Sequence, residues 1–270
     1  MVDWQRLFQD TATEIRQEVQ PLFGSAKAKE EQGRGAGGNI TRFIDALAES
    51  IVVRTLQDND VSCTLISEEK GTHRIGDGGG NDYVILDAID GTTNALHRIP
   101  FSATSIAHAS GHLLKDVDFG LVMELNSGTI FKAQKGKGAY EEGRVITSSE
   151  TIHLEDAVVS VELTFPKDFQ GLVQHLTPVM SHISKFRQLG STALECVYVA
   201  SGALDAFVDL RGLSRAVDLA AATLIVREAG GFIVKPNGDD LDMALGADVR
   251  TQFVVAGNQF LLEEILRFIA

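Results

Sequence analysis

The residues best suited to chemistry lie in one stretch, NDYVILDAIDGTTNALHRIPF, residues 81–101. Four residues of apolar body, Tyr83 to Leu86, run straight into Asp87, Asp90, Gly91, Thr92 and Thr93. A run of this kind, closed by turn residues, reads as a buried strand, and Asp87 is expected where that strand leaves the core. Two carboxylates flanking the Ile89 carbonyl can offer hard oxygen ligands to neighbouring ions of the Mg²⁺ type. Two such ions, roughly 3.5–4 Å apart, would clamp an in-line attack on phosphorus from both sides. Gly91 lets the backbone approach closely. Thr92 and Thr93 bring N–H groups and hydroxyls of the kind that hold phosphate where a helix opens. Taken in isolation, the same residues are also ordinary turn formers.

Further acids come from three other places. VSCTLISEEKG is a short apolar run ending in Glu68 and Glu69, which alone would read as a solvated strand end. Asp218 opens a run of small residues in SRAVDLAAATLIVREAGG, where a helix N-terminus favours an acid in any case. Asp45, in TRFID, is by itself a helix acid open to either a structural or a functional reading. GRGAGG, residues 33–38, fits the glycine spacing of a dinucleotide-binding loop, but that mechanism needs a strand before the glycines and KAKEEQ is not strand-like. A flexible loop is the better expectation. DAIDGTTN also partly resembles the Asp-x-Asp-Gly-Thr pattern of haloacid-dehalogenase phosphatases. That chemistry places its nucleophile and acid/base two positions apart, whereas Asp87 and Asp90 are three apart.

The elements that must position these groups follow from the hydrophobic pattern. Apolar Trp4, Leu7, Phe8, Ile15, Val19 and Leu22 predict a first helix from Asp3 to about Phe23, and a second is expected from about Thr41 to Gln57. The polar, glycine-rich segment between them reads as a mobile loop. KGTHRIGDGGGN likewise reads as a loop. FSATSIAHAS, DFGLVMEL, GTIFKAQKG and GAYEEGRVI predict short strands in an antiparallel meander. From about residue 150 strands and helices alternate, the mark of an α/β layer arrangement. The expected division is therefore 1–147, an N-terminal α+β sub-domain, and 148–270, a C-terminal α/β sub-domain that completes the site.

The chain has 270 residues, 44% hydrophobic and 23% charged, enough for a large core in one domain or two that share a sheet. No stretch approaches the ~18 consecutive apolar residues of a membrane span, and the amphipathic start, with its early acid, is unlike a signal peptide. Two cysteines, Cys63 and Cys196, form no CxxC or Cys/His cluster, so a reducing cytoplasm is the expected compartment. A net charge of −13 argues against nucleic acid or an anionic membrane as partner. If the substrate is an anion, bound divalent cations are the natural means of attracting it.

Together, LISEE, YVILDAIDGTTNALHRIPFSATSIA, RQLGSTALECVYVASGALDAFVDLRG and VDLAAATLIVREAGG resemble, in order and at suitable distances, the inositol monophosphatase-like family of Mg²⁺-dependent, lithium-sensitive phosphatases. GGNITRFIDALAESIV and DLRGLSRAVD are more similar to the archaeal branch, whose members often hydrolyse fructose 1,6-bisphosphate as well as inositol phosphates. The resemblance implies a layered αβαβα sandwich and two or three Mg²⁺ ions held by Glu68, Asp87, the Ile89 carbonyl, Asp90 and Asp218. It also implies that Gly91 and Thr92 hold the phosphate, while Thr92 and Glu68 orient the attacking water with Asp45 behind the threonine. Asp209 and Arg211 fall where family members contact the alcohol or the second phosphate, Asp90 is implied as a further substrate contact, and Arg211 is open to two readings, a bidentate grip on a second phosphate or a surface salt bridge. Ala88 and Val217 stand where the family commonly has Pro and Trp, and neither supplies a ligand. The expected activity is phosphomonoester hydrolysis of a small-molecule substrate by a homodimer. The alternatives are a 3′(2′),5′-bisphosphate nucleotidase of the same superfamily and a non-catalytic regulatory or binding protein.

Overall fold

The computed structural model describes residues 2–36, 38, 40–77, 81–164 and 168–269. Five layers alternate helix and sheet, so the chain has the α/β sandwich expected of it. The outer helices α1 (Trp4–Val19) and α2 (Phe43–Asp58) cover one face of an eight-stranded sheet. That sheet is built from β3 (Cys63–Ser67), β4 (Gly71–Ile75), β5 (Tyr83–Asp90), β6 (Ala103–Ala109), β7 (Val117–Glu124), β8 (Ile130–Gln134), β9 (Ala139–Glu141) and β10 (Arg144–Val145). Its spatial order is β10-β9-β8-β7-β6-β5-β3-β4. From β5 to β10 each strand pairs antiparallel with the next, which is the predicted meander, while β3 joins β5 in parallel. The second sheet takes β11 (Val158–Val161), β12 (Lys185–Arg187), β13 (Ala206–Arg215), β14 (Phe232–Val234) and β15 (Arg250–Ala256), in the order β12-β11-β13-β15-β14. Helices α5 (Thr192–Ala200) and α6 (Ala216–Glu228) fill the space between the sheets, and α4 (Phe169–Met180) and α7 (Gln259–Ile269) cover the far side. Among the described residues, no helix is long and apolar enough to cross a membrane.

The period of two along each strand divides the apolar residues between three cores. In β5, Val84 and Leu86 face α1 and α2, whereas Ile85 faces the central helices. In β15, Phe253 and Val255 face the centre, and Val254 and Ala256 face α4 and α7. The central helix α6 has no solvent side: every residue from Ala216 to Val226 is buried. Its run of alanines lets it lie close to a strand. A Cβ placed on Gly120 of β7 would come within 2.9 Å of the Ala221 backbone.

Three sequence expectations change. The first helix ends at Val19, and a single 3₁₀ turn, Gln20–Leu22, follows because Pro21 has no N–H to continue the ladder. The segment KGTHRIGDGGGN reads as a loop, yet Gly71–Ile75 forms β4, paired antiparallel with β3 at that edge of the sheet. The glycine-rich segment read as a mobile loop is a two-stranded ribbon, β1 (Glu31–Arg34) with β2 (Ile40–Arg42). Part of each glycine-rich segment, residues 37, 39 and 78–80, lies outside the described residues.

Candidate metal centre and active-site cleft

β5 delivers Asp87 and Asp90 to one place by an irregularity in its ladder. Asp87 pairs with Ser105 and Asp90 with Ala103, so three steps along β5 match two along β6. That is a β-bulge, and it matters because residues three apart on a regular strand point to opposite faces. Here both partners lie on one face of β6, and so do the two acids. Gly91 then takes a left-handed conformation (φ 86°, ψ 36°) and turns the chain into the short helix α3 (Thr92–His97). A Cβ there would meet the carbonyl oxygens of Phe101 and Gly190 at 3.0 and 3.2 Å. Asn94 fixes the same junction, donating from Nδ2 to the carbonyls of Phe101 at 2.8 Å and Leu189 at 2.7 Å.

Glu68 arrives on the turn that follows β3, and Asp218 at the third position of α6. One carboxylate oxygen each from Glu68, Asp87 and Asp218 lies within 4.8 Å of the others. All three line a cleft of about 1130 Å³, together with Asp90, Thr92 and Arg211. Asp87 is buried, and its carboxyl is pushed well above the usual range, first by burial and then by the charges of Glu68, Asp90 and Asp218. Burial, opposed by hydrogen bonds and reinforced by Asp218, pushes Asp90 up to about 7. Three buried or half-buried carboxylates facing one another fit a hard divalent cation, which removes the cost of their shared negative charge.

Asp90 differs from the other three acids. Its Oδ2 accepts from Ser191 Oγ and from the Ala193 N–H, both at 2.6 Å, and its Oδ1 accepts from the Thr192 N–H at 3.2 Å. The start of α5 thus anchors it from across the cleft. Further lone pairs remain for a ligand, since a carboxylate accepts at about four positions. Asp45, third in α2, is buried. Its Oδ1 accepts from Thr92 Oγ1 at 3.0 Å, and its Oδ2 accepts from the Arg42 N–H at 3.1 Å. The threonine hydroxyl also lies 3.0 Å from the Ile89 carbonyl. Burial, with Glu69 second, raises the Asp45 carboxyl to about 8.

The alcohol end of the cleft corrects one expectation. Asp209 does not line the cleft: it is fully buried and accepts from Arg211 Nε at 2.9 Å, Arg211 Nη2 at 2.7 Å and Ser214 Oγ at 2.6 Å. Arg211 Nη1 donates to the Thr164 carbonyl at 2.8 Å. The Nε–Nη2 edge of the guanidinium is therefore spent on Asp209 and one Nη1 proton on Thr164, which leaves one proton on each terminal nitrogen for the cleft. Arg211 reaches the cleft because β13 bulges: Asp209 pairs with Phe253 and Ser214 with Thr251, which leaves the intervening segment looped out.

Sequence reasoning missed two features. Arg215, the residue before α6, is buried and donates from Nη2 to Glu68 Oε1 at 2.8 Å and to Asp218 Oδ1 at 3.2 Å. Its signal was a lone arginine three residues ahead of a helix-opening acid. The β1–β2 ribbon is also pinned to the centre: the Ala36 N–H donates to the Glu69 carbonyl at 2.9 Å, and Thr41 donates to the Glu69 carboxylate. Only the doublet Glu68-Glu69 hinted at this.

The inositol monophosphatase family matches residues 3–269. The chain is 36% identical over 272 residues to the fructose-1,6-bisphosphatase/inositol-1-monophosphatase of Methanothermobacter thermautotrophicus, with 98% of this chain and 95% of the relative covered. It is 32% identical over 248 residues to the inositol-1-monophosphatase of Mesorhizobium japonicum, with 91% and 88% covered. A solved inositol monophosphatase-fructose 1,6-bisphosphatase structure at 30% identity aligns with a TM-score of 0.86, covering 99% of this chain and 100% of that one. With likeness running the length of the chain, the protein is a phosphomonoesterase and belongs to the inositol monophosphatase family.

Proposed function

We propose that the protein hydrolyses inositol 1-phosphate and fructose 1,6-bisphosphate at the cleft, with Mg²⁺ as cofactor. The observation that carries this reading is the convergence of Glu68, Asp87 and Asp218 within 4.8 Å, in a chain 36% identical to a relative named for both activities. Two or three Mg²⁺ ions would be held by Glu68, Asp87, the Ile89 carbonyl, Asp90 and Asp218. Bound there, they supply Lewis-acid chemistry, acidifying a water and neutralising charge on the ester oxygens.

The chain's own residues do the positioning. Thr92, whose hydroxyl is held between Asp45 Oδ1 and the Ile89 carbonyl, orients the attacking water together with Glu68. Gly91 and Thr92 present backbone N–H groups to the phosphate. Asp90, fixed by the start of α5, and Arg211 meet the alcohol, while Asp209 acts through Arg211. Residues 1–147 and 148–270 serve as two sub-domains that each contribute acids. A homodimer, a cytoplasmic location and inhibition by lithium complete the proposal on the strength of the family resemblance, and sedimentation and a lithium titration check the first and last.

The test is phosphate release from inositol 1-phosphate, fructose 1,6-bisphosphate and adenosine 3′,5′-bisphosphate, with and without Mg²⁺, beside Asp90→Asn. Mg²⁺-dependent release from either of the first two substrates, abolished by the substitution, is the expected result. Preference for the nucleotide would reassign the substrate. Equal activity without metal would overturn the site.

A further inference from the structure

Arg215 has an unusual position for a basic residue. It is 6% exposed, lines the cleft, and spans two of the three clustered carboxylates through one nitrogen, Nη2. Its backbone N–H donates to the second Asp218 oxygen at 2.8 Å, so the start of α6 holds Arg215 and Asp218 in one unit. The other terminal nitrogen, Nη1, is buried and has no hydrogen-bond partner among the described residues. An orphaned donor on a buried cation is costly, and such groups call for a physical reason. Burial works against the guanidinium charge, yet Asp218, Glu68 and Asp87 together hold Arg215 above its ordinary pKa. The cost of burying this charge is thus offset by the same acids that are suited to bind metal.

We propose that Arg215 is the protein's built-in counter-ion for the carboxylate cluster, and that a divalent cation must take Glu68 Oε1 and Asp218 Oδ1 from it. Arg215 is then a positioning residue that sets how tightly the centre holds metal. The inference rests on the metal-centre reading above. Two cations cannot use one lone pair of the same oxygen at full strength, and like charges at such short range repel. In the absence of metal, Arg215 keeps the acids from repelling one another. As metal enters, the guanidinium gives up its Nη2 contacts to Glu68 Oε1 and Asp218 Oδ1. The arrangement trades metal affinity for stability of the metal-free fold.

The sign of the effect separates this role from a purely structural one, because damage to a site weakens binding whereas loss of a competing cation strengthens it. Calorimetric titration of Mn²⁺ and Mg²⁺ into chelator-stripped protein compares the wild type with Arg215→Gln and Arg215→Lys. The expected result is metal binding about tenfold tighter in Arg215→Gln, and within about threefold of wild type in Arg215→Lys. Unchanged or weaker binding in Arg215→Gln would overturn the proposal. Absence of any binding to the wild type would instead overturn the metal reading on which it rests. Should Arg215→Gln fail to fold, ¹⁵N-arginine spectra of the wild type decide: the Arg215 side-chain signals must shift as Mg²⁺ saturates the site, and signals that stay in place would refute the exchange.

Discussion

A single hydroxyl illustrates how the site divides its labour. Thr92 Oγ1 has one proton to donate and lies 3.0 Å from both Asp45 Oδ1 and the Ile89 carbonyl, so its free lone pairs face the cleft where a water would sit. Thr92→Ala should lower kcat by about two orders of magnitude with little change in KM, and Thr92→Ser should restore most of it. Steady-state kinetics on the preferred substrate check both. A fall confined to KM would show that Thr92 binds phosphate without orienting the nucleophile. Asp209 calls for a different expectation. Since its carboxylate holds Arg211 and Ser214, Asp209→Ala leaves a buried guanidinium without its fork partner. A loss of about 3–5 kcal/mol in stability is expected, measured by urea denaturation of the metal-loaded protein.

At the scale of elements, the centre depends on how closely α6 lies against the eight-stranded sheet. Gly120 and Ala221 meet with no room for a Cβ, and Ala221 lies one turn along the helix from Asp218. Gly120→Val should cost about 3 kcal/mol or more through overpacking, and it should weaken Mg²⁺ binding as well, since the helix carrying Asp218 is pushed outward. Melting and metal titration of the same variant test the two effects together. Loss of stability with metal affinity intact would uncouple the packing from the centre. The bulges act at the same scale. One extra residue in β5 puts Asp87 and Asp90 on a common face, and the looped-out segment of β13 carries Arg211 to the cleft.

For the whole molecule, the telling quantity is the proton count. Asp45 titrates at about 8 in the folded chain, against an ordinary 3.8, and Asp90 and Glu195 at about 7, against 3.8 and 4.5, chiefly because each is buried. In the folded state these acids keep protons that the unfolded chain has already released. Between pH 5 and 8 the unfolded state therefore binds fewer protons, and metal-free stability falls as the pH rises through this window. The melting temperature of chelator-treated protein should drop across it, by about 2–4 °C for each kcal/mol. Mg²⁺ should flatten the part of the slope that Asp90 contributes, because the cation stabilises its ionised form, and leave the parts due to Asp45 and Glu195. A slope wholly unaltered by Mg²⁺ would mean that Asp90 does not belong to the metal centre.

The sequence by itself determined the local features. Apolar runs followed by carboxylates pointed to Glu68, just past the end of β3, and to Asp87, although β5 does not leave the core there and runs on to Asp90; the helix-opening acids Asp45 and Asp218 were visible as such, and the meander and the later α/β alternation followed from periodicity. Those signals are legible because each depends only on neighbours within a few residues. Tertiary structure alone decided which acids meet. It placed Glu68, Asp87 and Asp218 within 4.8 Å, anchored Asp90 on the start of α5 and withdrew Asp209 from the cleft. It also turned a glycine-rich stretch into a ribbon pinned to Glu69 and set Arg215 between two acids. The reason is physical: charge, burial and hydrogen-bond supply at each of these groups come from elements remote in the chain, brought together only when the two sheets close on α5 and α6.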